Sequence, residues 1–287
     1  MIIDIPTNHN FASVKFTLNR NIASSRSAFT NRQRTQEYDG VFWSAELTLP
    51  PMQRTDALEW ITFLTRLQGT KNTFLLGDPS HTTNAGTYNA DFLAIENRLG
   101  TATTLLNFST TNNTISDNEQ NDSFQGLATG DFVTISGASA AENNGTFKIT
   151  TFVNDNGIRV DRDISNATEQ SCSIKDNAKG ITGLNLTRTG TASGTIKKGD
   201  YLALHDAASA TSKPIQYVLA VEDATVTSND YAVRIEPKLR VAATNTHFVK
   251  FANPKGQFRL ASNQTSWSVN EATTYGIAFT AIEVING

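Results

Sequence analysis

Cysteine is almost missing from this chain. The single Cys172 cannot form an internal disulfide, so the sequence reads as a protein assembled in a reducing cytoplasm, outside any secretory route. Charge is also scarce. Only 18% of the 287 residues are charged and the formal net charge is −3, which is too small to make nucleic acid or an anionic membrane the main partner. Apolar runs long enough to span a bilayer are absent, and Met1 to Pro6 carries Asp4 with no basic stretch, so it does not read as a signal peptide. The four histidines, His9, His81, His205 and His247, lack the spacing that aims two ligands at one metal. Asn154, Asp155, Asn156, Asp161 and Asp163 offer oxygens, but without the spacing and closing Glu of a calcium loop they read as turn residues. There is no G-x-S-x-G elbow, no phosphate-binding Gly-Lys loop and no dinucleotide fingerprint. The expectation is a protein that is not an enzyme, with no catalytic residue, cofactor or metal.

Thr, Asn, Ser and Gly are abundant instead, which favours strands and tight turns. The fold class expected is mainly β. The most informative stretch runs from Phe42 to Pro79. Val41, Trp43, Ala45, Leu47 and Leu49 alternate with Ser44, Glu46 and Thr48, the pattern of a half-buried strand, and Pro50 and Pro51 end it. Ala57, Trp60, Ile61, Leu64 and Leu67 then recur at three and four residues and predict a helix over 54–67. Thr55 or Asp56 is the expected N-terminal cap, and Gly69 the residue that closes the last turn. A strand including Phe74 and Leu76 follows, then Gly77, Asp78 and Pro79.

The ordered set Trp43, Ala45, Leu49-Pro50-Pro51-Met52, Trp60, Leu67-x-Gly69 and Phe74-x-Leu76-Gly77-Asp78-Pro79 resembles the distal tail proteins of long-tailed bacteriophages. The resemblance returns in Phe258 to Leu260, Trp267 and Tyr275 to Val284, and covers both ends of the chain but little of its middle. It implies a split β-barrel or sandwich domain, residues 1–82 plus 246–287, that forms a six-copy ring at the end of the tail tube. The partners implied are further copies of the chain, the tail tube protein above, the hub or baseplate below, and the tape measure protein in the channel. The location implied is the virion tail, after assembly in the host cytoplasm. The framework residues expected are Trp43, Trp60, Leu64, Phe74, Asp78, Trp267, Tyr275 and Phe279.

Between the first strand, expected from Asn10 to Leu18, and the tryptophan strand lies a segment without lasting periodicity. From Lys15 to Gln36 it carries five basic residues and no acid. It reads as a solvated loop or as an arm for subunit contacts, with Arg20, Arg26, Arg32 and Arg34 as interface residues.

The middle of the chain contains a weak repeat. Gly130-Asp131 and Gly199-Asp200 each precede an aromatic and an alternating strand, Val133 and Ile135 in one copy and Leu202 and Leu204 in the other. Further strands are expected at Phe147–Ile149 and Ile158–Val160, then at Tyr217–Val221 and Tyr231–Ile235. Asn143-Asn144-Gly145 and Asn156-Gly157 are hairpin signals. Two small barrels or sandwiches in series, 92–175 and 180–245, are expected as insertions. Trp267 and the tyrosines offer faces that stack on sugar rings, and an alternative function is a carbohydrate-binding module of the tail, with affinity in the two insertions, that adsorbs it to a host glycan. A third class, a tail glycan hydrolase, needs a pair of facing acids that no motif marks.

Overall fold

A computed structural model describes all residues except 9, 39, 89–90, 98, 100–101, 187–193, 210–211, 227–231 and 286–287. His9 and Tyr231 thus lie outside the described residues. The fold is mainly β, with one α-helix among the described residues. The chain divides into two compact units. One comprises Met1–Thr82, Pro214–Tyr217 and Pro254–Gly287, the other Thr83–Lys213 and Val218–Asn253.

The first unit is built on an antiparallel five-stranded sheet in the order Ser13–Asn19, Phe42–Thr48, Ala278–Glu283, Gly256–Leu260, Phe74–Leu76. Its central strand comes from the end of the chain, so the sheet cannot close until almost all of the sequence is present. Phe16, Ala45, Ala281 and Leu260 stand opposite one another across four strands, placing one apolar row on one face. Lys15 stands opposite Glu46 on the other face, and their charges pair at 3.0 Å.

The helix spans Arg54–Leu67, as the spacing predicts, and buries Ala57, Trp60, Phe63, Leu64 and Leu67. Phe63 belongs to the buried stripe and Ile61 is only half-buried, because Phe63 sits three residues beyond Trp60 and faces the sheet. Its ring lies 5.5 Å from Phe74 and 6.5 Å from Phe279. Burial of these side chains contributes roughly 5–10 kcal/mol before ordering costs. The helix begins after Gln53 without a side-chain cap, so neither Thr55 nor Asp56 takes that role, and Gln68, not Gly69, is the left-handed closing residue. Gly69 is nonetheless required one step later. Its φ is +66°, and a Cβ there would lie 2.7 Å from the Asn263 side chain.

The second unit holds a six-stranded barrel and most of another six-stranded sheet of the same topology. In the first, the strands Ala102–Ser109, Thr114–Asp117, Phe132–Ser136, Gly145–Asn154, Gly157–Val160 and Ala167–Lys175 close into a barrel. Numbered one to six, their order around the barrel is 4-5-2-1-6-3. In the other, the strands Phe92–Ala94, Gly183–Asn185, Tyr201–His205, Pro214–Ala220, Ala232–Glu236 and Phe248–Lys250 run 2-5-4-3-6-1, the same cycle opened between strands one and two. A single antiparallel bridge, Ile95 with Leu186, spans that opening. The fourth of these strands passes from one unit to the other at Tyr217.

Two modules in series were expected, whereas the barrel is nested between the first two strands of the outer sheet. Phe92–Ala94, expected in the first module, pairs with Phe248–Lys250, expected with the terminal domain, and both belong to the outer sheet. Sequence could not show this, because the two outer strands are only three residues each and flank a complete barrel.

The repeat is a real structural equivalence. Gly130 and Gly199 have φ of +96° and +94°, a conformation glycine adopts without a Cβ clash. Gly130 donates to Ile149 O and Ile149 donates to Asp131 O, both at 2.8 Å. Gly199 and Ala220 repeat the exchange around Asp200 at the same distances. Each buried aspartate turns its carboxylate back on the preceding turn, accepting Ala128 N–H at 2.7 Å in one copy and Lys197 N–H at 2.8 Å in the other. Of the two Asn-rich turns, Asn156-Gly157 closes a tight hairpin between Gly145–Asn154 and Gly157–Val160, as expected, whereas Asn143-Asn144-Gly145 ends a longer connection from Phe132–Ser136. Asn143 is buried and exchanges hydrogen bonds with Ser165, while Asn144 holds Ala138 and Ala140.

Candidate interaction surface

The basic segment expected as a loop or arm is a β-hairpin, Ile22–Arg26 paired with Gln33–Glu37. Alternation of small and polar side chains allows the pairing, and the turn is local. Ser27 N–H donates to Arg32 O at 2.9 Å, Asn31 N–H to Ser27 O at 3.0 Å, and Thr30 N–H to the Ser27 hydroxyl at 3.2 Å. Asn31 takes the left-handed conformation at φ 54°. Every residue of both strands is exposed, so the ribbon has no core of its own.

The hairpin leaves the five-stranded sheet where Asn19 stands opposite Phe42. Arg20 lies at its root, Arg26 at the end of one strand, Arg34 in the other, and Arg32 beside the turn. Cross-strand register puts Arg26 on the face shared with Ser24 and Ile22, and Arg34 on the opposite face. Arg26, Arg32 and Arg34 have no ion-pair partner among the described residues. Phe29, at the tip, is 98% exposed. Sequence reading missed this residue, although a large aromatic inside a polar turn is a legible signal.

A second hairpin, Ser268–Val269 with Tyr275–Gly276, emerges at the other end of the sheet, where Ala278 stands opposite Thr48. Ile277 separates this hairpin from the final strand, Ala278–Glu283. Tyr275 exchanges backbone hydrogen bonds with Met52, at 2.9 and 3.1 Å, which anchors the hairpin just beyond the proline pair. Trp267, expected in the framework, is 44% exposed beside this hairpin.

The remaining framework residues lie inside the first unit. Trp60, Leu64 and Phe74 are buried and Phe279 is half-buried. Trp43 donates its indole N–H to Tyr217 O at 3.0 Å. Glu283, which sequence reading did not single out, is buried and accepts the backbone N–H of Trp43 at 3.1 Å and of Tyr217 at 3.0 Å, one on each carboxylate oxygen. A lone acid in an apolar strand is the signal that marks it. Asp78 accepts both the N–H and the hydroxyl of Ser80 and donates its own N–H to the Tyr217 hydroxyl at 3.3 Å. Gly77 precedes it because a Cβ there would lie 2.3 Å from Pro254 O.

Chemistry-bearing groups elsewhere are dispersed. Among the described residues no three of His, Cys, Asp and Glu gather as metal ligands, and no helix is long and apolar enough to cross a membrane. Cys172 is buried in the barrel core and its thiol pKa is pushed up by that burial. His205 is buried with its Nδ1 2.7 Å from the Ser212 hydroxyl, and His247 Nδ1 accepts the Thr244 N–H at 3.0 Å, so each of these imidazoles has a local hydroxyl or amide partner. Asp161, one of the acids weighed for calcium, instead pairs with Arg234 at 2.7 Å. Compared with models of known protein families the sequence matches none, and no curated protein matches it either.

Proposed function

We propose that this protein is a virion structural protein, a distal tail protein whose first unit forms a six-copy ring at the end of a bacteriophage tail tube. The observation that carries the proposal is the arginine-bearing hairpin Ile22–Glu37, exposed along both strands. A two-stranded ribbon is marginal in water by itself, and an uncovered one of this length gains its stability from a surface to lie on. The ordered sequence resemblance at both ends of the chain supplies the rest: the ring, the tail tube protein and hub as neighbours, and the tape measure protein in the channel.

A closed ring of six needs two different complementary surfaces on each subunit, and the exposed arginine-bearing hairpin supports one of them. The expected location is the virion tail, and no enzymatic turnover is expected. Electron microscopy of the purified chain, with mass measurement in solution, tests the proposal. Six-fold rings with an open centre are expected. A chain that stays monomeric at high concentration and binds a defined saccharide would replace this reading with glycan adsorption.

A further inference from the structure

The first unit carries both a projecting aromatic and a groove of matching character. Phe29, 98% exposed at the hairpin tip, is flanked in sequence by Arg26 and Arg32. Elsewhere on the same unit an open groove of about 600 Å³ lies beside the helix, lined by Asp4, Ile5, Pro6, Leu58, Glu59 and an edge of the otherwise buried Phe63 among others. Leu58 is 48% exposed and joins Ile5 and Pro6 in one apolar wall of the groove. Asp4 and Glu59 have no ion-pair partner among the described residues. One base, Arg66, shares the wall and leaves the groove net negative.

We infer that the hairpin tip of one copy docks in this groove on the next copy, with Phe29 against Ile5, Pro6 and Leu58, and Arg26 and Arg32 facing Asp4 and Glu59. This rests on the ring reading and names its contact. The occupant is a second copy because each element lacks what the other has. The tip offers an unburied ring and unpaired guanidinium groups, and the groove offers apolar walls and unpaired carboxylates. The groove volume falls within the range that admits an aromatic group with its neighbours. The contact is head-to-tail: tip and groove are different surfaces, so each copy keeps one of each free for the next until the assembly closes.

The test uses the full chain with Cys172→Ser, so that only introduced thiols react. Phe29→Cys combined with Leu58→Cys is oxidised and resolved by denaturing electrophoresis, beside each single variant. A ladder extending beyond dimers in the double variant, with none in the single variants, is expected. Phe29→Asp should raise the concentration for half-assembly at least tenfold, and Glu59→Arg should do likewise, with unchanged melting of the isolated subunit. If rings form but the double variant gives no ladder and Phe29→Asp assembles normally, the docking contact is wrong and the ring reading stands. If the ladder forms while microscopy shows open chains or another stoichiometry, the contact stands and the six-copy ring falls. A wild-type chain that remains monomeric overturns both.

Discussion

Glu283 takes the backbone N–H of Trp43 on its carboxylate at 3.1 Å, joining residues 240 positions apart in sequence. The second oxygen holds Tyr217 N–H, so one buried acid satisfies donors from two segments. Removing it leaves both donors dry, at roughly 1–3 kcal/mol each. Glu283→Ala is therefore expected to lose about 2–5 kcal/mol in denaturant unfolding, and Glu283→Gln, which keeps one acceptor, clearly less. Equal losses in the two variants would show that the cost is packing alone.

Trp60 separates packing from polarity at another site. Its ring is buried between Phe11 and Phe63, at 5.4 and 5.9 Å, while its Nε1 has no hydrogen-bond partner among the described residues. Trp60→Ala is expected to cost about 3–5 kcal/mol. Trp60→Phe removes the unpaired donor along with some volume and should cost less than about 1.5 kcal/mol. Urea melts of the three proteins decide it. A loss for Trp60→Phe close to that for Trp60→Ala would show that the nitrogen does have a partner.

Gly183 marks the close approach of the outer sheet to the nested barrel. A Cβ there would meet the Phe132 ring at 2.2 Å. Asn185, two residues on, exchanges hydrogen bonds with the Phe132 backbone, both at 2.8 Å, and the Arg234 guanidinium lies over the same ring at 5.3 Å. Gly183→Ala should destabilise by about 1–3 kcal/mol through overpacking. Adding Phe132→Leu should recover part of that loss, a coupling of at least about 0.5 kcal/mol in a double-mutant cycle. Simple additivity would separate the two positions.

Sequence reading and structure part company at such junctions. The helix over 54–67 and the tryptophan strand were legible because each follows one period with clear stops. The Gly-Asp repeat was legible because the same backbone turn demands the same two residue types. Nesting was not, since Phe92–Ala94 and Phe248–Lys250 are too short to show a pattern, and strand pairing between them depends on the whole barrel folding away in between. Of the candidate surface, the arginines were visible as composition. The hairpin pairing was hidden because small polar strands such as Ile22–Arg26 have no apolar face to betray the two-residue period.

His205 gives the second unit an acid sensitivity. Burial pushes its pKa down to about 4, helped by Lys250 and opposed by Asp206, Asp91 and the Ser212 hydrogen bond. The folded value lies below that of a free histidine, near 6.5, so the unfolded chain binds the proton more readily. Stability from this group is complete above about pH 6.5 and is lost as pH falls toward about 4, at up to about 1.4 kcal/mol per pH unit. Asp117 adds to the loss in stronger acid. Burial raises its pKa, but the Ser123 hydroxyl, the Asn121 and Glu119 N–H groups and the Thr104 hydroxyl outweigh burial and lower it overall. Melting temperatures measured from pH 7 to 4.5 should fall more steeply for the native chain than for His205→Gln; parallel curves would remove His205 from the account.

The nesting of one sheet inside another also sets a timetable on the ribosome. The barrel's strands are consecutive, from Ala102–Ser109 to Ala167–Lys175, so it is the first part able to finish folding during synthesis. The outer sheet waits for Phe248–Lys250, and the five-stranded sheet waits longest, for Ala278–Glu283. At roughly 5–20 residues per second the tryptophan strand and its apolar helix spend on the order of tens of seconds without their central partner. The tryptophan strand and the helix thus emerge early and wait with Trp43 and Trp60 uncovered while the middle of the chain is already native, and that interval is when a chaperone has its opportunity to bind.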